Sequence, residues 1–217
     1  MSEVPFFDRL IHDLKGPLSP LQTAAYLLRR EELPVERRSE LLDTVERQSR
    51  RLGLMIEEAG DWARATSGSL VSRQGECDLS MLMDMSVAGF AGCTIEPEID
   101  PALADARLLG DESRLQQLIA ILLGHALSRD PAAPTLQAHR DGGHVRIRVS
   151  DTGPALSEVL AAQLFEQPSP EPYDQGLGLR LLIAQSIARS HGGELHALPG
   201  AGTGLTVECL LPLVDAN

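Results

Sequence analysis

The chain has 217 residues, 43% of them apolar, and a formal net charge of −12. This length suffices for one or two domains with a real hydrophobic core, and the negative charge excludes a nucleic acid held by bulk electrostatics. Aromatic residues make up 3% of the chain, too few for the stacking surfaces typical of proteins that bind single-stranded nucleic acid.

Cysteine usage and hydropathy indicate a compartment. Cys77, Cys93 and Cys209 lie far apart without the spacing of a metal site, and such a set is typical of the reduced cytoplasm. The longest apolar run, residues 118–127, is too short to span a bilayer. Because the N-terminus also lacks the basic and then apolar order of a signal peptide, we expect a cytoplasmic protein with no membrane segment in this chain.

The first part of the chain predicts two helices, over residues 5–30 and 35–65, joined by a short turn. Apolar residues of the first helix recur at steps of three and four and share one face; they are Leu10, Leu14, Leu21, Ala25 and Leu28. The second helix carries a seam that resembles a heptad repeat between Leu41 and Ala59. Because one antiparallel hairpin cannot bury both seams, the sequence predicts a homodimer built on a four-helix bundle.

His12 lies near the start of the first helix, away from its apolar face. At about 100° per residue, it stands roughly 200° from Leu14. Pro17 cannot donate a hydrogen bond to the carbonyl of Asp13, so the helix should bend just after the histidine. A neutral imidazole nitrogen can accept a phosphoryl group, and the adjacent Asp13 carboxylate could orient the ring and take its proton. His12 and Asp13 are therefore the candidate catalytic residues; the alternative is a solvated surface histidine.

Residues 67–76 are polar and contain glycine, which predicts a linker before a second domain at residues 77–217. Helices are predicted over residues 78–90, 111–129 and 177–191, and strands over residues 94–99, 135–139, 144–150, 194–198 and 205–211. Pro97 would confine the first of these strands to a sheet edge. The pattern predicts an α+β fold with helices on one face of a mixed sheet.

Short motifs follow one another in a fixed order along the chain. They are residues 12–17, residues 111–127, residues 149–153, the pair Leu164-Phe165, and the glycine motifs at residues 176–179 and 202–204. In this order they resemble the H, N, first glycine, F and later glycine boxes of the catalytic core of two-component sensor histidine kinases. The resemblance covers nearly the whole chain. It implies a dimerising hairpin with the phosphorylatable histidine at residues 1–66, followed by an α/β sandwich of the Bergerat (GHKL) ATPase type.

The resemblance also implies a nucleotide site. Asp151 would accept a hydrogen bond from the amino group of adenine, and Gly176 and Gly178 would bring backbone N–H groups to phosphates at a helix N-terminus. The candidate cofactor-binding residues are His125, Arg129, Asp151, Gly153, Gly176, Gly178 and Thr203. The implied cofactors are ATP and Mg²⁺, and the implied partner is the receiver domain of a response regulator.

Several residues depart from the family pattern. Ile121 and His125 stand where two asparagines are usual, one of them a magnesium ligand, and neither side chain suits a cation that prefers oxygen. We therefore assign no metal ligand. Ser128 stands where a phosphate-binding lysine is common, with Arg129 beside it as a substitute. Gly16 replaces the residue that positions water for dephosphorylation of the regulator, so phosphatase activity is not expected.

These matches and departures leave three functions open. The first is a histidine kinase core with a degenerate ATP site, which phosphorylates His12 and transfers the phosphoryl group to a response-regulator aspartate. The second is a kinase-derived histidine phosphotransferase that relays phosphoryl groups without binding ATP. The third is a non-catalytic docking module in which His12 plays no part.

Overall fold

The computed structural model describes residues 3–30, 32–90, 92–170, 172, 175–200 and 202–214, with side chains from residue 10 onward. The chain divides into two compact units. The first consists of Met1–Gly60 and Pro170–Gly178, and the second of Asp61–Ser169 and Leu179–Asn217. A segment from late in the sequence thus belongs to the same unit as the N-terminal helices.

Two long helices account for most of the first unit. Helix α1 spans Glu3–Leu27 and continues through Pro17 and Pro20, and helix α2 spans Val35–Thr66. The two predicted helices are confirmed, although α1 ends three residues early because the N–H of Arg30 returns to the carbonyl of Leu27 in a turn. The bend expected after His12 stays a prediction.

The buried face of α1 differs from the predicted one at positions 17, 24 and 25. Ala24 is buried, at 1% exposure, and Pro17 is buried as well, whereas Ala25 is exposed. The prediction of Ala25 was wrong because the inward-facing residues follow alternating steps of four and three, which selects position 24; position 25 lies about 100° further round the helix. The other predicted members of the face are half-buried; they are Leu10, Leu14, Leu21 and Leu28.

The second unit combines helices and strands in the predicted α+β arrangement. Its remaining helices are α3 (Leu79–Val87), α4 (Glu112–Arg129), α5 (Glu158–Gln163) and α6 (Arg180–Ser190). Its strands are β1 (Gly75–Asp78), β2 (Pro97–Ile99), β3 (Arg107–Gly110), β4 (Thr135–Asp141), β5 (His144–Ser150), β6 (Glu194–Pro199) and β7 (Leu205–Pro212). Within the described ranges, no helix combines the length and the hydrophobicity needed to span a bilayer.

A five-stranded sheet in the order β2-β4-β5-β7-β6 forms the centre of this unit. Strand β2 pairs with β4 in parallel and the other neighbours pair antiparallel. In register, Ile147 of β5 lies between Ala138 of β4 and Cys209 of β7, and all three side chains are buried. The edge position predicted from Pro97 is confirmed, although the strand is shorter than expected.

Helices α3, α4 and α6 pack side by side and contact the sheet, so the predicted layer of helices is confirmed. Helix α4 supplies the largest share of the core between these layers, from a face that is buried throughout; its members are Leu115, Leu118, Ile119, Ile121, Leu122, Leu123 and Ala126. Its N-terminus is capped by Asp111, whose carboxylate accepts a hydrogen bond from the N–H of Arg114.

Two features of the second unit were absent from the sequence prediction, and one predicted helix begins at a different residue. Strands β1 and β3 form a separate antiparallel pair, with Cys77 opposite Leu108. Helix α5 is also absent from the sequence prediction. Helix α6 begins at Arg180 instead of residue 177, because Gly178 has a φ of +77°, which is incompatible with a right-handed helix.

Candidate functional site

The candidate phosphoacceptor is exposed on α1. The side chain of His12 is 87% exposed, and its Nδ1 lies 3.2 Å from Oδ1 of Asp13. When Nδ1 carries the proton and donates a hydrogen bond to this carboxylate, Nε2 keeps a free lone pair. The contact with Asp13 thus favours the tautomer in which Nε2, the ring nitrogen farther from the backbone, is unprotonated.

One face of α4 carries the residues that replace the usual asparagines. Ile121, His125 and Arg129 follow one another at steps of four and so lie along a single stripe. Ile121 is 2% exposed and belongs to the hydrophobic core. Burial lowers the pKa of His125 to about 4, an effect that the nearby charge of Arg129 reinforces and the charge of Asp151 opposes. The imidazole of His125 is therefore neutral at physiological pH.

The side chains of Ile121 and His125 are unsuitable ligands for magnesium. A hydrocarbon offers no ligand atom, and a neutral imidazole is a poor ligand for a hard cation that binds oxygen. Within the part of the chain that the structure describes, no three His, Cys, Asp or Glu side chains gather in a cluster that could hold a metal ion.

The Asp151 carboxylate is buried, and both of its oxygens accept hydrogen bonds. Its side chain is 2% exposed. Oδ2 accepts a hydrogen bond from Nε of Arg129 at 2.9 Å, and Oδ1 accepts one from the backbone N–H of Gly153 at 2.9 Å. The Nη2 of Arg129 also donates to the carbonyl of Pro154 at 2.5 Å. The structure thus brings the predicted residues Arg129, Asp151 and Gly153 together, with the arginine in direct contact with the predicted base acceptor.

Close backbone contacts explain the glycines around Asp151. A Cβ at Gly153 would lie 2.8 Å from the carbonyl oxygen of Arg129, so no larger residue fits without a shift of the backbone. Gly204 has a φ of +82° and donates its N–H to the carbonyl of Gly153 at 2.7 Å. Thr203, the predicted site residue of that motif, is exposed on the turn between β6 and β7.

The other glycine motif belongs to the first unit. Gly176 and Gly178 are buried, and the residue between them, Leu177, donates its backbone N–H to Oε2 of Glu58 at 2.6 Å. Glu58 lies on α2 and is 4% exposed. Seven residues earlier on the same helix, Arg51 donates from Nε to the carbonyl of Gln175 at 3.0 Å. The loop therefore already holds an anionic group on one of its backbone amides.

Glu58 was missed by the sequence prediction, although the sequence contains a signal for it. Met55, Glu58 and Asp61 follow one another at steps of three on α2, and all three are buried. Because a buried carboxylate needs hydrogen-bond donors, acidic residues on the inward stripe of a helix indicate such contacts. Asp61 finds its donors within the second unit, in Arg114, Arg64 and Gln117.

The structure thus combines a helical hairpin that bears an exposed histidine with an α/β domain in which glycines surround a buried carboxylate. The phospho-acceptor domain model His Kinase A matches residues 6–68. The model of the ATPase domain of histidine kinases, DNA gyrase B and HSP90 matches residues 110–215. The chain therefore belongs to the histidine kinase catalytic cores of two-component signalling, as the sequence motifs predicted.

Sensor proteins and sensory kinases are similar to this chain in sequence. The chain is 30% identical to the alginate biosynthesis sensor protein KinB of Pseudomonas aeruginosa, over 96% of this chain and 36% of that protein. It is 25% identical to the adaptive-response sensory kinase SasA of a Synechococcus strain, over 97% of this chain and 60% of that protein. The chain thus spans less than two thirds of either relative.

Solved structures also match. Full-length ShkA in complex with AMPPNP has a TM-score of 0.69 and 26% identity, over 94% of this chain and 45% of that one. The histidine kinase ThkA in complex with the response regulator TrrA has a TM-score of 0.75 over 96% of this chain and 61% of that one. At 18% identity, the ThkA match supports the fold alone.

Proposed function

We propose that His12 accepts a phosphoryl group on Nε2 and passes it to an aspartate of a response-regulator receiver domain. The observation that carries this proposal is the pairing of an 87% exposed imidazole with the Asp13 carboxylate, 3.2 Å from Nδ1. As Nε2 bonds to phosphorus and the bond to the leaving group breaks, Asp13 stabilises the proton and the positive charge on the ring. We assign this step to residues 1–66, with residues 67–76 as linker.

ATP is the proposed donor, bound by residues 77–217. Membership of the ATPase family supports this, as does the AMPPNP complex of the similar protein ShkA. Asp151 would receive the base, and the backbone amides of the glycine motif at residues 176–178 would receive phosphate oxygens. We propose no role for magnesium, because Ile121 has no ligand atom and the imidazole of His125 is a poor ligand for this ion.

A second candidate function is phosphoryl relay without ATP. It is favoured by the Arg129–Asp151 ion pair at the predicted base acceptor and by Ile121 on the N-box stripe. In this case His12 would be charged by one phosphorylated receiver domain and discharged by another.

We also propose that the chain is a homodimer in the cytoplasm. Large apolar side chains stay exposed on the two long helices of the single chain; they include Ile11 (52%), Leu18 (39%), Leu42 (54%) and Ile56 (63%). Their burial against a second copy would complete a four-helix bundle. Free thiols at Cys77, Cys93 and Cys209 fit a reducing compartment.

The test uses two phosphoryl donors in separate reactions: γ-labelled ATP, and a panel of receiver domains labelled with acetyl phosphate. We expect an acid-labile label on the wild-type chain and none on His12→Ala. His139→Ala, which removes an exposed histidine from β4, is the matched control and should label normally. Label from ATP supports the kinase, and label from receiver domains alone supports the relay. Absence of label from both donors contradicts the proposal.

A further inference from the structure

The Arg129–Asp151 ion pair lies where the proposed function places the nucleotide base. The Arg129 side chain is 13% exposed and that of Asp151 is 2% exposed, so both charges are largely removed from water. A buried carboxylate that loses its cationic partner is strongly disfavoured, and so any competitor must replace the hydrogen bond that Arg129 gives.

The two partners differ in their freedom to move. Asp151 is held by the backbone, because its N–H donates to the carbonyl of Leu205 at 3.0 Å and its Oδ1 accepts from Gly153. The following residue, Thr152, is held through its hydroxyl, which donates to Asp130 at 2.6 Å. Arg129 reaches Asp151 from the last turn of α4 by a long side chain with several rotatable bonds, which is also held by the hydrogen bond from Nη2 to the carbonyl of Pro154. A rearrangement at this site therefore moves the arginine and leaves the carboxylate in place.

We propose that the guanidinium of Arg129 competes with the amino group of adenine for Oδ2 of Asp151. Oδ2 could accept two hydrogen bonds, but the Arg129 guanidinium donates to Oδ2 through Nε and to the carbonyl of Pro154 through Nη2, and in this position it blocks the approach to that oxygen. The base therefore binds when Arg129 turns away. This inference rests on the proposed nucleotide site and adds a residue that sets its affinity. In this role, Arg129 lowers the affinity of the site for adenine.

A different role for Arg129 makes the opposite prediction. If the side chain moves to the phosphates and acts as the cation that Ser128 cannot supply, its removal weakens ATP binding and leaves adenosine binding unchanged. Under competition at the base, removal strengthens adenosine and ATP by the same factor, because the change is confined to the group that both ligands share.

The experiment measures adenosine and ATP affinities of the full chain by calorimetry, without added metal. Arg129→Met keeps the apolar stem and removes the charge, and we expect it to bind both ligands at least tenfold more tightly than the wild type. Arg146→Met is the matched control, since Arg146 also pairs with a carboxylate, Glu208, at 2.8 Å. It should leave both affinities unchanged. Asp151→Asn added to Arg129→Met should abolish the gain.

The variant must also be shown to fold, by circular dichroism and thermal unfolding. Should Arg129→Met fail to fold, the wild type gives an independent measurement: the NMR resonance of the Arg129 Nε–H should lose its hydrogen-bonded shift when adenosine saturates the protein. Unchanged or weaker adenosine binding, no adenosine binding by any variant, or an unmoved Nε–H resonance would each overturn the inference. Labelling of His12 by receiver domains does not use ATP, so it tests the proposed phosphoryl transfer separately.

Discussion

The backbone N–H of Leu177 donates a hydrogen bond to the carboxylate of Glu58, with 2.6 Å between N and Oε2. Glu58 is 4% exposed, so this charge-assisted bond forms away from water and is stronger than an exposed one. The N–H that faces Glu58 belongs to the glycine motif at which we place the phosphates. A phosphate oxygen that binds this amide must first displace the carboxylate.

The first prediction concerns this bond. In Glu58→Ala the amide of Leu177 loses its acceptor, and its protection against hydrogen exchange should fall by about tenfold or more, since bonds to charged groups contribute roughly 1.5–3 kcal/mol. Glu57→Ala, which removes an exposed carboxylate from the next position on α2, is the control and should leave this amide unchanged. Equal protection in both variants would contradict the assignment.

The second prediction concerns Asp111, which is 4% exposed and caps α4. Its carboxylate also accepts the N–H groups of Ser72 and Arg73, each at 3.1 Å. Asp111→Ala should lower the free energy of unfolding in urea by about 2–4 kcal/mol, because several donors lose their acceptor together. Asp78→Ala removes a cap that accepts from Met81 alone among the bonds observed, and it should cost about 1 kcal/mol.

Acid should remove the contribution of Asp111. Burial by itself would raise its pKa, but hydrogen bonds from the Ser113 hydroxyl and from backbone N–H groups outweigh burial and hold the pKa below its ordinary value of 3.8. The stabilisation is therefore complete above about pH 5 and is lost progressively as the pH falls through the ordinary pKa of 3.8 and below it. The difference in stability between wild type and Asp111→Ala should shrink in that range, and a constant difference would contradict this reading.

The third prediction concerns the pH dependence caused by His125. Its pKa is lowered from 6.5 to about 4 in the folded chain, so the unfolded chain binds the proton first as the pH falls. Folding stability should thus rise with pH between about 4 and 6.5 and level off above. Between pH 7.5 and pH 5, wild type should lose about 2 kcal/mol more stability than His125→Asn, which has no titrating ring. Parallel stability curves would show that the ring is not shielded.

The fourth prediction concerns assembly. Light scattering should give the wild type twice the chain mass of 23.4 kDa. The double variant Leu42→Glu and Ile56→Glu places charges on the exposed apolar positions of α2 and should give a single-chain mass. Met81→Glu with Val159→Glu changes equally exposed apolar residues of the second unit and should remain dimeric. A two-chain mass for the α2 variant would place the interface elsewhere.

Long amphipathic helices and regular strands were predictable because their periodicity extends over many residues. Strands β1 and β3, with four residues each, are too short to show a period, and their pairing depends on contacts across the chain. The predicted start of α6 was wrong because a glycine at position 178 is compatible with a helix in the sequence pattern, whereas the positive φ that Gly178 adopts in the structure is not.

The candidate site was predictable only where its residues belong to local sequence motifs. Motif residues such as His12 and Asp151 stand in recognisable local sequences. The partners that engage the site, Glu58 for Leu177 and Arg129 for Asp151, are 119 and 22 residues away along the chain. The stripe of buried acidic residues on α2 indicates that Glu58 needs a hydrogen-bond donor, but the identity of each partner depends on tertiary packing, which no local pattern specifies.

The segment Pro170–Gly178 has a practical consequence for experiments on parts of this protein. A fragment that starts at residue 67 would contain the glycine motif but neither Arg51 nor Glu58, both of which donate or accept a hydrogen bond with this loop from α2. Nucleotide affinities measured on such a fragment would describe a loop freed from both contacts. The same measurement on the full chain would include the cost of releasing them, so the two values should differ, with the fragment binding more tightly.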